Sequence, residues 1–207
     1  MKKRNLINWL CLSGVISVVF YILHDVVGGM NYPGYNFMSQ AVSDLTATDA
    51  PSFITASGYV TIYKILNCLC CALVCILIKK ETKKIFRIGV YLFSIMNFIS
   101  AIGYALFPLS SSGFDGSFQT IMHVYVITTI VVLLSIISLI FIAIGSFKSN
   151  KRFLGLLAIA SLVLMFIGAV GSANVPKEIF GLIERFSTYS AVIFTGILGM
   201  YGFNIEK

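Results

Sequence analysis

A single lysine, Lys64, stands inside a run that is otherwise apolar, about two turns from one of its ends. A charge in hydrocarbon is costly, so it needs a reason. Two readings are open. The long stem lets the ammonium snorkel to the interface, or the ammonium pairs with a carboxylate, Asp25 or Asp44. Thr61 lies one turn above it and Asn67 one turn below on a similar face, which makes a polar stripe along one helix. Other polar groups fall at the same level. His24 and Asp25 end the first apolar run, His123 opens the buried part of the fourth, and Glu184 and Arg185 begin the sixth. Asn97 lies deeper in the third run and Asn174 at the end of the fifth. The expected pocket is therefore polar, opens at one end of the molecule, and is lined by Ser39, Ser43, Asp44, Lys64, Asn67, Asn97, His123, Glu184 and Arg185.

The chemistry of such a pocket divides in two. A binder or transporter would use Lys64 and Arg185 as anion-seeking groups. A hydrolase or transferase would use His123 as base with Asp25 or Asp44 as orienting acid, and needs these within hydrogen-bond reach. Ser39 or Ser43 is conceivable as a nucleophile, but no G-x-S-x-G elbow occurs. Two histidines with Asp25, Asp44 or Asp115 offer nitrogen and oxygen ligands, yet no H-x-x-E-H spacing exists, so no metal and no cofactor are expected. No carboxylate lies at mid-span, which argues against a simple ion pump. Cys68, Cys70, Cys71 and Cys75 crowd the second run as "CLCCALVC"; they read as small, soft interface residues, and no disulfide framework is visible.

These residues are carried by six apolar runs, at roughly 6–27, 58–78, 87–107, 118–147, 153–174 and 184–203. Of 207 residues, 58% are hydrophobic and 11% charged, where a soluble domain is about half apolar and a quarter charged. Each run is long enough to cross roughly 30 Å of hydrocarbon as a helix, and none alternates as barrel strands do. The fold class is all-α: a polytopic membrane bundle of six transmembrane helices forming a single domain over 1–207. The net charge of +7 does not imply nucleic acid, because the basic residues flank the spans. Lys2, Lys3 and Arg4, the group from Lys79 to Arg87, Lys148, Lys151, Arg152 and Lys207 all fall on one side. The positive-inside rule makes that side the cytoplasm, with both termini there and the plasma membrane as the location. Asp25, Asp44, Asp49, Asp115, Glu178 and Glu184 fall towards the other face. The first run is too long for a cleaved signal and reads as an anchor. Membrane lipids are the expected partners, and the oligomeric state stays open. Gly168, Gly171 and Ser172, and Gly196, Gly199 and Gly202, read as sites of close helix packing.

The longest polar stretch, "YPGYNFMSQAVSDLTATDAPS", joins the first two spans on the acidic side. Phe37, Met38, Ala41, Val42 and Leu45 recur at helical spacing opposite Ser39, Gln40, Ser43 and Asp44. The pattern predicts a short outer amphipathic helix over 36–46. It either floats at the headgroups or folds over the pocket mouth as a lid, with Asp44 beside Lys64 or Arg185.

This stretch, together with "FP" at Phe107–Pro108, His123 after a Gly-containing loop, and "GLIERF" from Gly181 to Phe186, resembles the six-span prokaryotic family called domain of unknown function 998. Ser43 with Leu45, Asn67, Phe107–Pro108, His123 and the run Gly181–Arg185 stand at its motif positions. A usual Asp after F-P is replaced by Leu109–Ser110, with Asp115 nearby. The resemblance implies a six-helix bundle and supplies no activity. A looser similarity to the Frag1/DRAM/Sfk1 group implies lipid handling by analogy alone.

Overall fold

In a computed structural model that describes residues 4–205, the chain folds into helices and turns, with no strand among those residues. The basic residues Lys2, Lys3 and Lys207 lie outside them. The first span is a short helix α1 (Leu6–Leu10) followed by α2 (Ser13–Met30). The second is α3 (Phe53–Leu77), extended by a 3-10 turn Ile78–Lys80, and the third is α4 (Lys84–Leu106). The fourth combines α5 (Phe118–Ile121), a π-helical turn Met122–Ile127 and α6 (Thr128–Lys148). The fifth is α7 (Arg152–Gly171), and the sixth is a 3-10 turn Lys177–Ile179 running into α8 (Phe180–Asn204). All six spans are long and apolar enough to cross a membrane. Large apolar side chains such as Ile54, Ile65, Ile102, Leu133, Phe153 and Val170 lie exposed along them, as a lipid-facing surface requires.

The spans close into a ring. α2 packs against α3 and α8, α3 against α4, α4 against α6, α6 against α7, and α7 against α8, which also reaches α3. The α3–α4 seam is the most lightly packed step between consecutive spans of this ring. Phe86, Phe93, Met96, Leu139, Ile142, Phe194 and Leu198 form the main core, nearer the basic end. Small residues let the helices approach. A Cβ at Gly199 would stand 2.5 Å from the Cys11 carbonyl, and one at Gly168 would fall on the Ser187 backbone. Gly89 meets α6 backbone and Gly145 meets Phe86 in the same way. At the basic end, the Asn8 amide donates to the Gly202 and Ile205 carbonyls at 2.8 and 2.9 Å, which ties the end of α8 to α1. Glu81 and Lys151 pair at 2.6 Å between neighbouring loops.

The segment between α2 and α3 departs from the expected amphipathic helix. Residues 36–40 form turns, and only Val42–Thr46 winds up, as a 3-10 helix. The reason lies in the backbone carbonyls that an α-helix would need for itself. Those of Phe37 and Gln40 accept from Arg185, that of Met38 from the Leu182 amide, and that of Ala41 from the Tyr35 hydroxyl. Side chains complete the local order: Asn36 Oδ1 accepts from the Met38 amide and Gln40 Oε1 from the Asn36 amide.

Candidate functional site

The polar residues gather at the end of the bundle that carries the long loops. Arg185, on the second turn of α8, is 3% exposed. Its Nε and Nη2 donate to the two Asp25 oxygens at 3.0 and 2.8 Å, a two-pronged pair with the end of α2. Nη2 also donates to the Tyr35 hydroxyl at 2.6 Å. Nη1 serves three carbonyls, Gly181 at 2.8 Å and Phe37 and Gln40 at 3.0 Å each. The guanidinium carbon sits 3.8 Å from the Phe37 ring centre. Tyr189 donates to Asp25 at 2.9 Å. Every N–H of Arg185 is thus used within the chain, so Arg185 is a clamp that holds the long loop, and it has no donor left for an incoming anion.

Asp44 was expected beside Lys64 or Arg185; it bonds neither. It is 6% exposed, and its Oδ1 accepts from the Gly113 amide at 3.1 Å in the loop between α4 and α5. Burial holds its carboxyl above the ordinary range, with the Gly113 amide opposing. The same two loops join elsewhere: the Thr48 amide donates to Leu109 O, the Thr48 hydroxyl to Ser110 O, and Tyr32 bonds Ser112. The loops cover the bundle end through this clasp and not through a helix. Exposed Asp115 caps the turn before α5, and the Ser117 amide it accepts from draws its carboxyl down to about 2. Burial pushes the Tyr35 phenol above its ordinary range.

Beneath the loops lies a second group of polar side chains. Rings connect them: His24 to Tyr21 with centres 5.3 Å apart, Tyr21 to Tyr63 at 4.8 Å, Tyr21 to Tyr189 at 5.5 Å, and Tyr104 to His123 at 4.6 Å. Among the described residues, no carboxylate pairs with Lys64. His123 sits in the π-helical turn, a widening braced by the Thr128 hydroxyl on the His123 carbonyl at 2.9 Å. Such turns are frequent at functional sites. Its Nδ1 meets the Phe107 carbonyl at 2.7 Å, so Nδ1 carries the hydrogen and Nε2 is left without a partner. Among the described residues, the Tyr21 and Tyr63 hydroxyls and Lys64 Nζ also lack a partner in the chain. Both nitrogens of His24 are buried and unpartnered as well.

The remaining expected residues fall as follows. Asn67 donates to Asn97 at 2.7 Å, a buried amide pair that ties α3 to α4 below Lys64. Glu184 is half-buried; it accepts from the Val42 amide at 3.4 Å and the Thr188 hydroxyl at 3.1 Å. Ser39 and Ser43 are half-buried in the loop, and among the described residues neither hydroxyl bonds a histidine. No three His, Cys, Asp or Glu residues among those described gather closely enough to hold a metal ion. The five cysteines are free. Tyr21, Tyr35, Tyr63, Tyr104 and Tyr189 escaped the sequence reading. For the four that lie within spans the signal was present, since a tyrosine there carries a hydroxyl that needs a partner; Tyr35 lies in the loop. A groove of about 400 Å³ lined by Ile95, Phe98, Ile99, Ile102 and Gly103 is wholly apolar, and helical spacing puts it on the side of α4 away from Asn97 and Tyr104.

Comparison with known proteins adds a family. A family model described as "Protein of unknown function (DUF998)" matches residues 15–201. Among curated proteins and solved structures nothing matches, so no likeness to the Frag1/DRAM/Sfk1 group is found.

Proposed function

The chain belongs to the DUF998 family of integral membrane proteins, and from that premise we propose that the polar interior at its loop end binds or moves a lipid-like or amphipathic molecule. The observation that carries this reading is the set of unpartnered polar atoms on Tyr21, Tyr63, Lys64 and His123 within an apolar bundle. Buried polar groups are ordinarily bonded, and a ligand headgroup or water supplies what the chain does not. Asn67, Asn97 and Glu184 frame this space. Arg185, Asp44, Ser39 and Ser43 belong to the cover above it.

The alternative, a hydrolase or transferase built on His123, has less support. A base needs an acid or nucleophile in reach. Asp25 is committed to Arg185 and Tyr189, and Asp44 to Gly113. The His123 Nδ1 that an orienting acid would hold is held by a backbone carbonyl instead.

The orientation belongs to the same proposal: the loops face outward from the plasma membrane, and both termini are cytoplasmic. Two measurements test the reading. Mass spectrometry of gently solubilised protein should find a co-purified amphiphile, lost when Tyr63→Phe and Lys64→Met are combined. Reporter fusions in the 28–57 loop and after Lys207 should report opposite sides, and a cytoplasmic loop would defeat an outward pocket.

A further inference from the structure

Resting on that reading, we propose that Lys64 receives an oxyanion carried by an amphiphile, phosphate or carboxylate in kind, which reaches it from the loop-side leaflet between the outer halves of α3 and α4.

The seam between these helices is fastened on one side of Lys64 only. Asn67 bonds Asn97 at 2.7 Å, Cys75 bonds Ser94 at 3.0 Å, and Ser94 reaches the Cys71 carbonyl at 3.5 Å. All these contacts lie at the level of Asn67 or nearer the basic end. From Lys64 to the loops, no hydrogen bond joins α3 to α4 among the described residues, and the seam as a whole is the most lightly packed step between consecutive spans of the ring. Lys64 stands one turn above the last fastening. It shares the α4-facing side of α3 with Cys68, whose thiol lies 4.0 Å from the Asn97 carbonyl. An exposed Ile65 on α3 gives the seam an apolar edge beside Lys64. A free anion does not cross such an edge readily, whereas the chain of an amphiphile is at home there.

The charge pattern selects the headgroup. The two carboxylates on the spanning helices at this end are already engaged, Asp25 with Arg185 and Glu184 with the Val42 amide and the Thr188 hydroxyl. Lys64 is thus a half-buried cation with no ion-pair partner among the described residues. An oxyanion supplies one through charge-assisted hydrogen bonds, which strengthen away from water. The neighbouring groups fit the same ligand. The Tyr63 hydroxyl adds a donor, and His123 Nε2 offers a lone pair to a headgroup hydroxyl. His24, 3% exposed and unpartnered at both nitrogens, stands one ring behind, next to Tyr21.

The test equilibrates purified full-length protein with mixed micelles holding equal phosphatidylglycerol and phosphatidylcholine, and quantifies retained lipid by native mass spectrometry. Wild type should retain phosphatidylglycerol about tenfold over phosphatidylcholine. Lys64→Met and Lys64→Gln should fall to near parity, and Lys64→Arg should keep the preference within about threefold. Equal retention of both lipids by wild type would overturn the oxyanion inference and leave the amphiphile pocket standing. Retention of neither would overturn both. A preference that persists in the Met and Gln variants would remove Lys64 from the site and return it to a snorkelling lysine. Inorganic phosphate that displaces phosphatidylglycerol at equal concentration would assign the site to a free anion and overturn entry through the seam.

Discussion

Asp25 and Arg185, 160 positions apart, meet through two hydrogen bonds of 3.0 and 2.8 Å, with their side chains 1% and 4% exposed. The pair joins α2 to α8, and through the remaining Arg185 donors it also fixes the loop at Tyr35, Phe37 and Gln40. One guanidinium thus sets both a helix contact and the cover of the bundle end. The residues behind the family resemblance meet in the same manner. "GLIERF" docks on the long loop through Arg185, and the Phe107 carbonyl before Pro108 is taken by His123.

Removing one partner of this pair leaves a buried charge uncompensated. Asp25→Asn and Arg185→Ala should each destabilise the protein by about 3–5 kcal/mol. Arg185→Lys should recover little, because an ammonium cannot reproduce the fork to Asp25 while reaching three carbonyls. Thermal unfolding in detergent measures this. Wild-type melting in Arg185→Lys would show that charge alone suffices.

Gly181 marks the place where the loop meets α8. A Cβ there would run into the Gln40 backbone, while one at Gly58 in α3 meets nothing within 4 Å. Gly181→Ala should therefore cost about 1–3 kcal/mol through forced displacement of the loop. Gly58→Ala should gain about 0.5–1 kcal/mol from reduced chain entropy in the unfolded state. Proteolysis within 31–52 should accelerate in the first variant only.

Asp44 gives the loop clasp a pH dependence. Its carboxyl titrates above the ordinary 3.8 because it is buried, so the folded state binds its proton more tightly than the unfolded state does. Its contribution to stability is full below that ordinary value and is lost as pH rises through the folded value. Asp44→Asn keeps an oxygen for the Gly113 amide and should flatten that fall, while Asp44→Ala should lose the bond and destabilise at every pH. Asp49→Asn, on an exposed residue, should change neither. Melting curves across the mildly acidic range decide it; an unchanged slope in Asp44→Asn would place the titration elsewhere.

The pair of loops at the basic end behaves oppositely. Glu81 is half-buried, and its net shift is downward: burial alone would raise its carboxyl, but the Lys151 ammonium beside it prevails. Its contribution is present above the ordinary 4.5 and is lost as pH falls through the folded value. Glu81→Gln should cost no more than about 1 kcal/mol at neutral pH, since the pair is partly solvated. An equal loss at pH 3 and pH 7 would count against the ion pair.

The six spans were legible in the sequence because hydrocarbon thickness demands a fixed length of apolar helix, whatever that helix packs against. The level of the polar residues was legible for the same reason: His24, Lys64, His123 and Arg185 each sit at a definite depth along their own runs. Their partners were not. Lys64 and Arg185 looked equivalent as cations seeking a carboxylate, and two carboxylates, Asp25 and Asp44, looked equally able to serve. Tertiary structure gave Asp25 to Arg185, turned Asp44 to the Gly113 amide and left Lys64 with none, because pairing depends on which helix faces rotate towards one another. The same holds for residues 36–41. Their apolar spacing is that of a helix, but a helix forms only if its carbonyls stay free for their own chain. Here α8, some 145 residues away, supplies a guanidinium that binds them more strongly, and no local pattern records a donor at that distance.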